Sequence, residues 1–120
     1  MNFISLILSI FLSITPSSRF ICDNQQLNVK IINNQNGDFT IINDLEKLDS
    51  GAFVVLDWKV NLMLPRTFFS NEISFSDDKW KWIYEKENQV RLLERKRTGQ
   101  VFEYKCEARE ESSEYAFSDE

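Results

Sequence analysis

The chain has few side chains that could do covalent chemistry. It contains two cysteines, Cys22 and Cys106, and no histidine, while Asp and Glu together number 19. Nucleophile–base pairs and zinc sites are usually built from histidine and free thiols, so they cannot be assembled here. Two carboxylates can serve as general acid and base only when a cleft holds them together, and spacing does not show this. We therefore predict a protein that is not an enzyme and has no metal or cofactor site.

The beginning of the chain resembles an export signal. Residues 3–14 are almost wholly Phe, Ile, Leu and Ser, and no charged residue comes before Arg19. An apolar run of this length fits a signal-peptide core and is short for a membrane span, which needs about 20 residues. Thr15 and Ser17 are small enough to precede a cleavage site, which predicts a signal peptide over residues 1–17. The alternative is an uncleaved anchor, because no Lys or Arg precedes the apolar run.

Export changes what the two cysteines are expected to do. In the periplasm or outside the cell, two cysteines near opposite ends of a small domain are more typically bridged than free. We therefore predict a Cys22–Cys106 disulfide that closes a β domain over residues 18–107. Residues 108–120 are acidic and rich in serine, which indicates a mobile tail.

The charge of the chain limits its partners. The formal net charge is −5 and the sequence pI is about 4.8. Nucleic acids and anionic membranes favour a basic surface, so neither is expected to bind. The predicted partner is a cationic protein, and no membrane span is expected once the leader is removed.

The elements that would position any site have the period of strands. Leu27, Val29 and Ile31 alternate with polar residues, and Asn36-Gly37 then gives the strongest short hairpin signal. Residues 44–51 are polar and predict a loop or a single helical turn. Residues 52–64 alternate over a length that predicts one strand, which Pro65 would end.

Further alternation follows, with turns predicted at Asp77-Asp78, at residues 87–89 and at Thr98-Gly99. The whole pattern predicts an all-β domain of about six to eight antiparallel strands and no long helix. Closure into a small antiparallel β-barrel or sandwich is expected, since closure protects the edges of a short all-β chain.

Three aromatic residues alternate along one predicted strand and leave two interpretations open. Trp80, Trp82 and Tyr84 share one face of that strand. They would form a candidate ligand face for stacking sugars if they were exposed, and they would pack the core if they were buried.

The order of these features resembles the c-type lysozyme inhibitor family known as MliC/PliC, which are small exported β-barrels of the bacterial envelope. Phe20-Ile21-Cys22 is similar to the opening strand of that family, and Leu64-Pro65 is similar to its middle. The segment from Ser70 to Asp77 resembles its Ser-Gly-Ala-x-Tyr segment. Tyr84-Glu85-Lys86-Glu87 looks like its Trp-x-Lys-Gly segment, and Tyr104-Lys105-Cys106 looks like its closing strand.

The resemblance implies inhibition by physical blockade. In that family a loop serine and a lysine enter the active site of lysozyme, where the lysine meets the catalytic carboxylates. Ser70 and Lys86 would have these roles here, and the partner would be c-type lysozyme. On the alternative interpretation Ser70 caps a turn and Lys86 is a solvated cation. The protein would then be a binding module for an envelope glycan or small ligand, or a structural envelope protein.

Overall fold

The computed structural model describes residues 16–68 and 71–109, which form nine strands and one short 3-10 turn. The strands are β1 (Arg19–Cys22), β2 (Gln25–Gln35), β3 (Asp38–Ile42), β4 (Phe53–Asp57), β5 (Asn61–Thr67), β6 (Ile73–Ser76), β7 (Trp80–Lys86), β8 (Gln89–Arg95) and β9 (Val101–Ala108). Every pairing between them is antiparallel. No α-helix occurs in the described part of the chain, and it offers no helix with the length and apolar character that crossing a membrane requires.

The sheet closes on itself through its first strand. The strand order is β1-β9-β8-β7-β6-β5-β4-β2-β3, and β1 also pairs with β2. Eight strands therefore form a closed barrel, and β3 is an extra strand that continues the sheet outward from β2. The predicted fold class, an all-β barrel or sandwich closed by one disulfide, is confirmed, and the barrel is the form found.

The disulfide lies at the seam of this barrel. Cys22 of β1 is directly opposite Cys106 of β9, and the two sulfur atoms are bonded. The predicted pair is thus confirmed. Since β1 is only four residues long, the bond holds one of the two shortest strands of the barrel to its neighbour.

The core forms because apolar residues alternate along strands that bury one face. In β4 and β8, for example, every second side chain is buried. The largest fully buried side chains are Trp82, Phe20, Phe75, Leu27, Leu56, Leu64, Leu92 and Val54.

The β2–β3 hairpin forms where the sequence predicts it. Asn36 and Gly37 both have positive φ, at 55° and 85°, which matches the twist of the flanking strands in a two-residue turn. The polar segment after β3 contains the predicted single turn, a 3-10 helix over Leu45–Lys47. The Asp44 carboxylate caps it by accepting a 2.9 Å bond from the amide of Glu46.

The prediction of one strand over residues 52–64 is wrong. The chain reverses at residues 58–60, so this segment forms β4 and the first part of β5, with Asp57 opposite Asn61. Trp58 stabilises the turn because its side chain enters the barrel end and its indole Nε1 donates a 3.1 Å bond to the Cys22 carbonyl. Val60 lies in this turn and is 39% exposed.

Pro65 does not end a strand, which corrects a second prediction. It lies inside β5 and is opposite Phe53 of β4. The pairing of β5 with β6 begins only at Arg66, so at Pro65 the chain has a strand neighbour on one side. A residue without an N–H group is tolerated where the ladder is one-sided.

The barrel has two ends that differ in their connections. We call the end with the β5–β6 connection (residues 68–72) and the β7–β8 turn (residues 87–88) the upper end. The lower end carries the turns at residues 58–60, 77–79 and 96–100. β9 continues at the upper end through Ala108, and the amide of Arg109 donates a 2.9 Å bond to the Arg19 carbonyl. Residues 1–15 and 110–120, which hold most of the predicted signal peptide and tail, lie outside the described residues.

Candidate functional site

The two residues predicted to bind a partner belong to the upper end. Lys86 is the last residue of β7 and is exposed, while Ser70 lies outside the described residues. β6 begins at Ile73 opposite Tyr84. The residues before Ile73 and those after Tyr84 therefore leave the barrel at the same end. The sheet register thus brings the β5–β6 connection and Lys86 to one end of the molecule.

The pairing of β7 with β8 is irregular just before Lys86. The register between β7 and β8 shifts between Tyr84 and Lys86, which marks a β-bulge at Glu85. A bulge bends its strand and changes the direction of the next side chain. Within the described ranges, the Lys86 ammonium group has no ion pair or hydrogen-bond partner.

Arg91, which follows the β7–β8 turn, has acidic neighbours. Arg91 of β8 makes a 3.1 Å ion pair with Glu103, which is the main reason that its pKa is raised. The charges of Glu85 and Glu72 raise the pKa of Arg91 further. In the described part of the upper end, Lys86 is thus an unpaired ammonium group with Glu85 and Glu87 beside it in the sequence.

The three aromatic residues of the candidate ligand face lie inside the barrel. Trp80, Trp82 and Tyr84 are at most 9% exposed. The Trp82 ring makes edge contacts with the rings of Phe20, at 5.4 Å between centroids, and of Tyr84, at 5.9 Å. Burial also raises the pKa of the Tyr84 hydroxyl, so this group stays neutral. Of the two interpretations left open, core packing is the one found, and these rings offer no surface on which a sugar could stack.

A cluster of rings and a lysine at the lower end was not predicted from the sequence. The Tyr104 ring is 5.0 Å from Trp58 and 6.2 Å from Trp80, measured between centroids. The Lys59 ammonium group lies over Trp58 at 4.5 Å and over Tyr104 at 5.0 Å. It also pairs with the Asp23 carboxylate at 3.3 Å. These contacts close the lower end by cation–π attraction and aromatic packing.

A buried carboxylate lies beside this cluster. Glu94 is 7% exposed and accepts a 2.7 Å bond from the Tyr104 hydroxyl. The ammonium groups of Lys96 and Lys79 are 3.0 Å and 3.4 Å from its oxygens. The Tyr104 bond is the main cause of a lowered pKa at Glu94. Burial and the same bond raise the pKa of Tyr104 to about 12.

The sequence contained one signal for this site. Val90, Leu92 and Glu94 are alternate residues of β8, so Glu94 continues the inward-facing side of an apolar strand. A charged residue at such a position needs partners. The two lysines come from the turns on either side, and alternation within β8 could not have identified them.

Acid should weaken the protein through Glu94. Its pKa in the folded state is below the ordinary value of 4.5, so it contributes stability above that pH and loses the contribution as pH falls through the folded pKa. We expect the free energy of unfolding of the wild type to fall between about pH 5 and pH 3, and less steeply in Glu94→Gln. Urea unfolding at several pH values measures this, with the more exposed Glu103→Gln as the matched control. An equal acid dependence in Glu94→Gln and the wild type would contradict the expectation.

The ranges that the structure describes contain no group of three or more His, Cys, Asp or Glu residues that could hold a metal ion. An open groove of about 430 Å³ runs beside the β1–β2 turn, with Asp23, Tyr104 and Lys105 among its lining residues. Its walls carry both charges, and Asp23 is already paired with Lys59. Among the described residues, Lys86 is exposed and has no ion pair or hydrogen-bond partner, and Lys30 and Lys105 share that state.

Comparison with known proteins places the chain in one family. Neither the curated proteins nor the solved structures contain a significant match to it. A family model described as "Domain of unknown function (DUF8671)" matches residues 30–106, which is more than half of the chain and reaches from the middle of β2 to the second cysteine. The chain therefore belongs to the family of domains of unknown function DUF8671.

Proposed function

We propose that this protein is an exported inhibitor that blocks the active-site cleft of a c-type lysozyme without catalysing a reaction. The observation that carries the proposal is the position of Lys86, which is exposed at the upper end, next to the β5–β6 connection. The resemblance to the MliC/PliC family assigns its two inhibitory loops to these same two connections. A disulfide-closed barrel suits export, because such bonds persist in oxidising compartments.

Lys86 supplies the chemistry that such a cleft requires. An ammonium group that has no partner among the described residues can bind a carboxylate without first breaking an ion pair with them. In a narrow and partly dry cleft, a hydrogen bond between the two charges is short and strong. A serine from the neighbouring connection, Ser70, would add a neutral hydrogen bond to the same site.

Charge on a larger scale favours a basic partner. The net charge of −5 would attract a cationic lysozyme and speed its association at low salt. Glu85 and Glu87 flank Lys86 in the sequence. A lysozyme that fits this end would therefore present basic side chains at the rim of its cleft, around the catalytic carboxylates. Like charges at that rim would exclude other lysozymes.

The proposal is tested by lysis of a bacterial cell-wall suspension by c-type lysozyme in the presence of the oxidised protein. We expect dose-dependent loss of lysis, and a weakening of about 10-fold to 100-fold in the Ser70→Ala/Lys86→Ala variant, as for the loss of a charged hydrogen bond. Lys105→Ala is the matched control, because Lys105 is an exposed lysine on the wall of the barrel. Its inhibition should equal that of the wild type.

Two outcomes would contradict the proposal. The first is normal lysis at large molar excess of protein whose near-ultraviolet circular dichroism shows it to be folded. The second is full inhibition by the double variant, which would place the contact elsewhere on the barrel. The glycan-binding alternative receives no support from Trp80, Trp82 and Tyr84, because these rings are buried.

A further inference from the structure

One strand of the sheet has an unpaired edge. β3 pairs with β2 over its whole length, with Asp38 opposite Gln35 at one end and Ile42 opposite Ile31 at the other. No other strand of the described residues pairs with it. Four of its five residues are exposed and the fifth is half-buried. Its outer edge therefore presents backbone N–H and C=O groups that another strand could pair with.

This edge lacks the features by which monomeric proteins protect such strands. Lysine, proline or a β-bulge usually interrupts a free edge. β3 has the sequence Asp-Phe-Thr-Ile-Ile, and its pairing with β2 is regular over its whole length. Its only charge is Asp38, at the first position. The strand is thus left open to pairing.

Apolar side chains on the outer face of the barrel continue up to this edge. Phe39 is 60% exposed and Ile41 is 62% exposed, and both point to the same side of β3. A row of directly paired residues continues from this strand along the same side of the sheet, namely Ile41, Ile32, Phe53 and Pro65, and Ile32 within it is buried. A second copy that extended the sheet beyond β3 would cover the exposed side chain of Ile41, where this row begins.

We propose that β3 pairs with β3 of a second copy of this chain, in an antiparallel arrangement centred on Thr40. A twofold axis through such a pair makes the interface self-complementary, as in most homodimers. Thr40 then lies opposite Thr40 of the second copy, and Phe39 lies opposite Ile41. Pairs of an aromatic and a β-branched residue across two strands are among those that stabilise a sheet.

The charges of the two edges are compatible with this register. Asp38 lies opposite Ile42 of the second copy, so the two Asp38 carboxylates are four residue steps apart, or about 14 Å along the strands. This exceeds the screening length of about 8 Å at physiological ionic strength. The antiparallel pair therefore contains no close contact between like charges of β3, although each protein is acidic overall.

The buried area indicates a reversible dimer. At the exposures given above, Phe39 and Ile41 would each bury on the order of 100 Å², so the two copies would bury on the order of 400 Å² through these side chains. Adding the strand edges still leaves the interface below the roughly 1,600 Å² of a standard stable complex. The dimer is thus expected to form at concentrations of about 100 μM and to dissociate on dilution.

Sedimentation velocity tests whether the dimer forms. The sample is the oxidised protein expressed from the full chain, at concentrations from about 10 to 500 μM. The weight-average sedimentation coefficient of the wild type should rise with concentration toward that of a dimer. Ile41→Lys should remain monomeric, because it places a charge at the centre of the apolar contact. Val101→Lys makes the same change at an equally exposed residue of β9 and should behave like the wild type. A wild type that is monomeric throughout, or an Ile41→Lys protein that dimerises equally, would overturn the proposal.

A cross-linking experiment tests the register independently. Thr40→Cys would place two thiols opposite each other across the pair, within reach of a disulfide between copies. Under mild oxidation we expect this variant to form covalent dimer at least 10-fold faster than Lys105→Cys, which tests random collision at another exposed residue. Equal rates would overturn the register. Neither measurement involves lysozyme, so its result is independent of the inhibitor proposal.

Discussion

Replacing both Cys22 and Cys106 with alanine is expected to lower the free energy of unfolding by about 4 to 5 kcal/mol. The two residues are 84 positions apart, so the bond removes a large amount of conformational freedom from the unfolded chain. It also joins the two strands that form the seam of the barrel, β1 and β9. A domain of this size has a total stability of about 5 to 15 kcal/mol, so the loss would be a large part of it.

Urea unfolding at pH 7 measures this effect, because the midpoint and slope give the two stabilities directly. The wild type treated with a reductant is the matched control and should unfold close to the double variant. Hydrogen exchange should show the greatest loss of protection in β1, whose four residues are held by short ladders to β2 and β9. A loss of less than about 1 kcal/mol would show that the seam is held by packing alone.

The disulfide and the hairpin could be predicted because their signals are local or depend on composition. Two cysteines in a chain with an export-like beginning allow only one intramolecular pair. Asn36-Gly37 specifies its turn because both residues tolerate positive φ. Neither prediction needs knowledge of which strands are neighbours.

The break between β4 and β5 could not be predicted in the same way. Residues 57–61 contain no glycine or proline, and alternation continues through them. The turn forms because the Trp58 side chain fills the lower end and bonds to the backbone of β1, which is 36 residues away. A contact of that kind is set by closure of the barrel and leaves no local signature.

The same limit applies to the two ends of the barrel. Alternation places Glu94 on an inward face, but its partners Lys79 and Lys96 come from the turn before β7 and the turn after β8, which meet at the lower end. Lys86 was selected by resemblance, and only the register of β6 with β7 shows which connection lies beside it. The sequence therefore indicates which residue types could form a site. Which residues lie next to them depends on how the strands pair in the sheet.

The free edge of β3 is also a consequence of closure. β1 occupies the edge of β2 at residues 25–28, and β3 occupies the same edge at residues 31–35. The barrel closes through β1, so β3 remains outside it with one neighbour. From the sequence alone, Phe39 and Ile41 have the pattern of a strand with a buried face, and their exposure follows from this arrangement.

Trp82→Ala is expected to lower the free energy of unfolding by about 3 to 5 kcal/mol, the usual range for removing a large aromatic residue from a core. Trp82 has no exposed surface, and it is the largest of the fully buried side chains in the described residues. The void that it leaves would be bordered by rigid rings that cannot collapse into it, including Phe20 and Tyr84. Phe68→Ala is the control, because Phe68 is largely exposed and its removal should change stability by less than about 0.5 kcal/mol.

Trp82 also connects two strands that are not neighbours in the sheet. It belongs to β7, and the ring that it meets at 5.4 Å belongs to Phe20 of β1, which lies three strands away around the barrel. This contact therefore connects the seam strand to the opposite wall through the interior. Because Phe20 and Cys22 share a four-residue strand, the losses of unfolding free energy from removing Trp82 and from removing the disulfide should not be additive.

The milder Trp82→Phe keeps a ring in place. Measuring its unfolding free energy with and without the disulfide gives the coupling free energy between the ring and the bond. Independent effects would show that the seam and the core are stabilised separately.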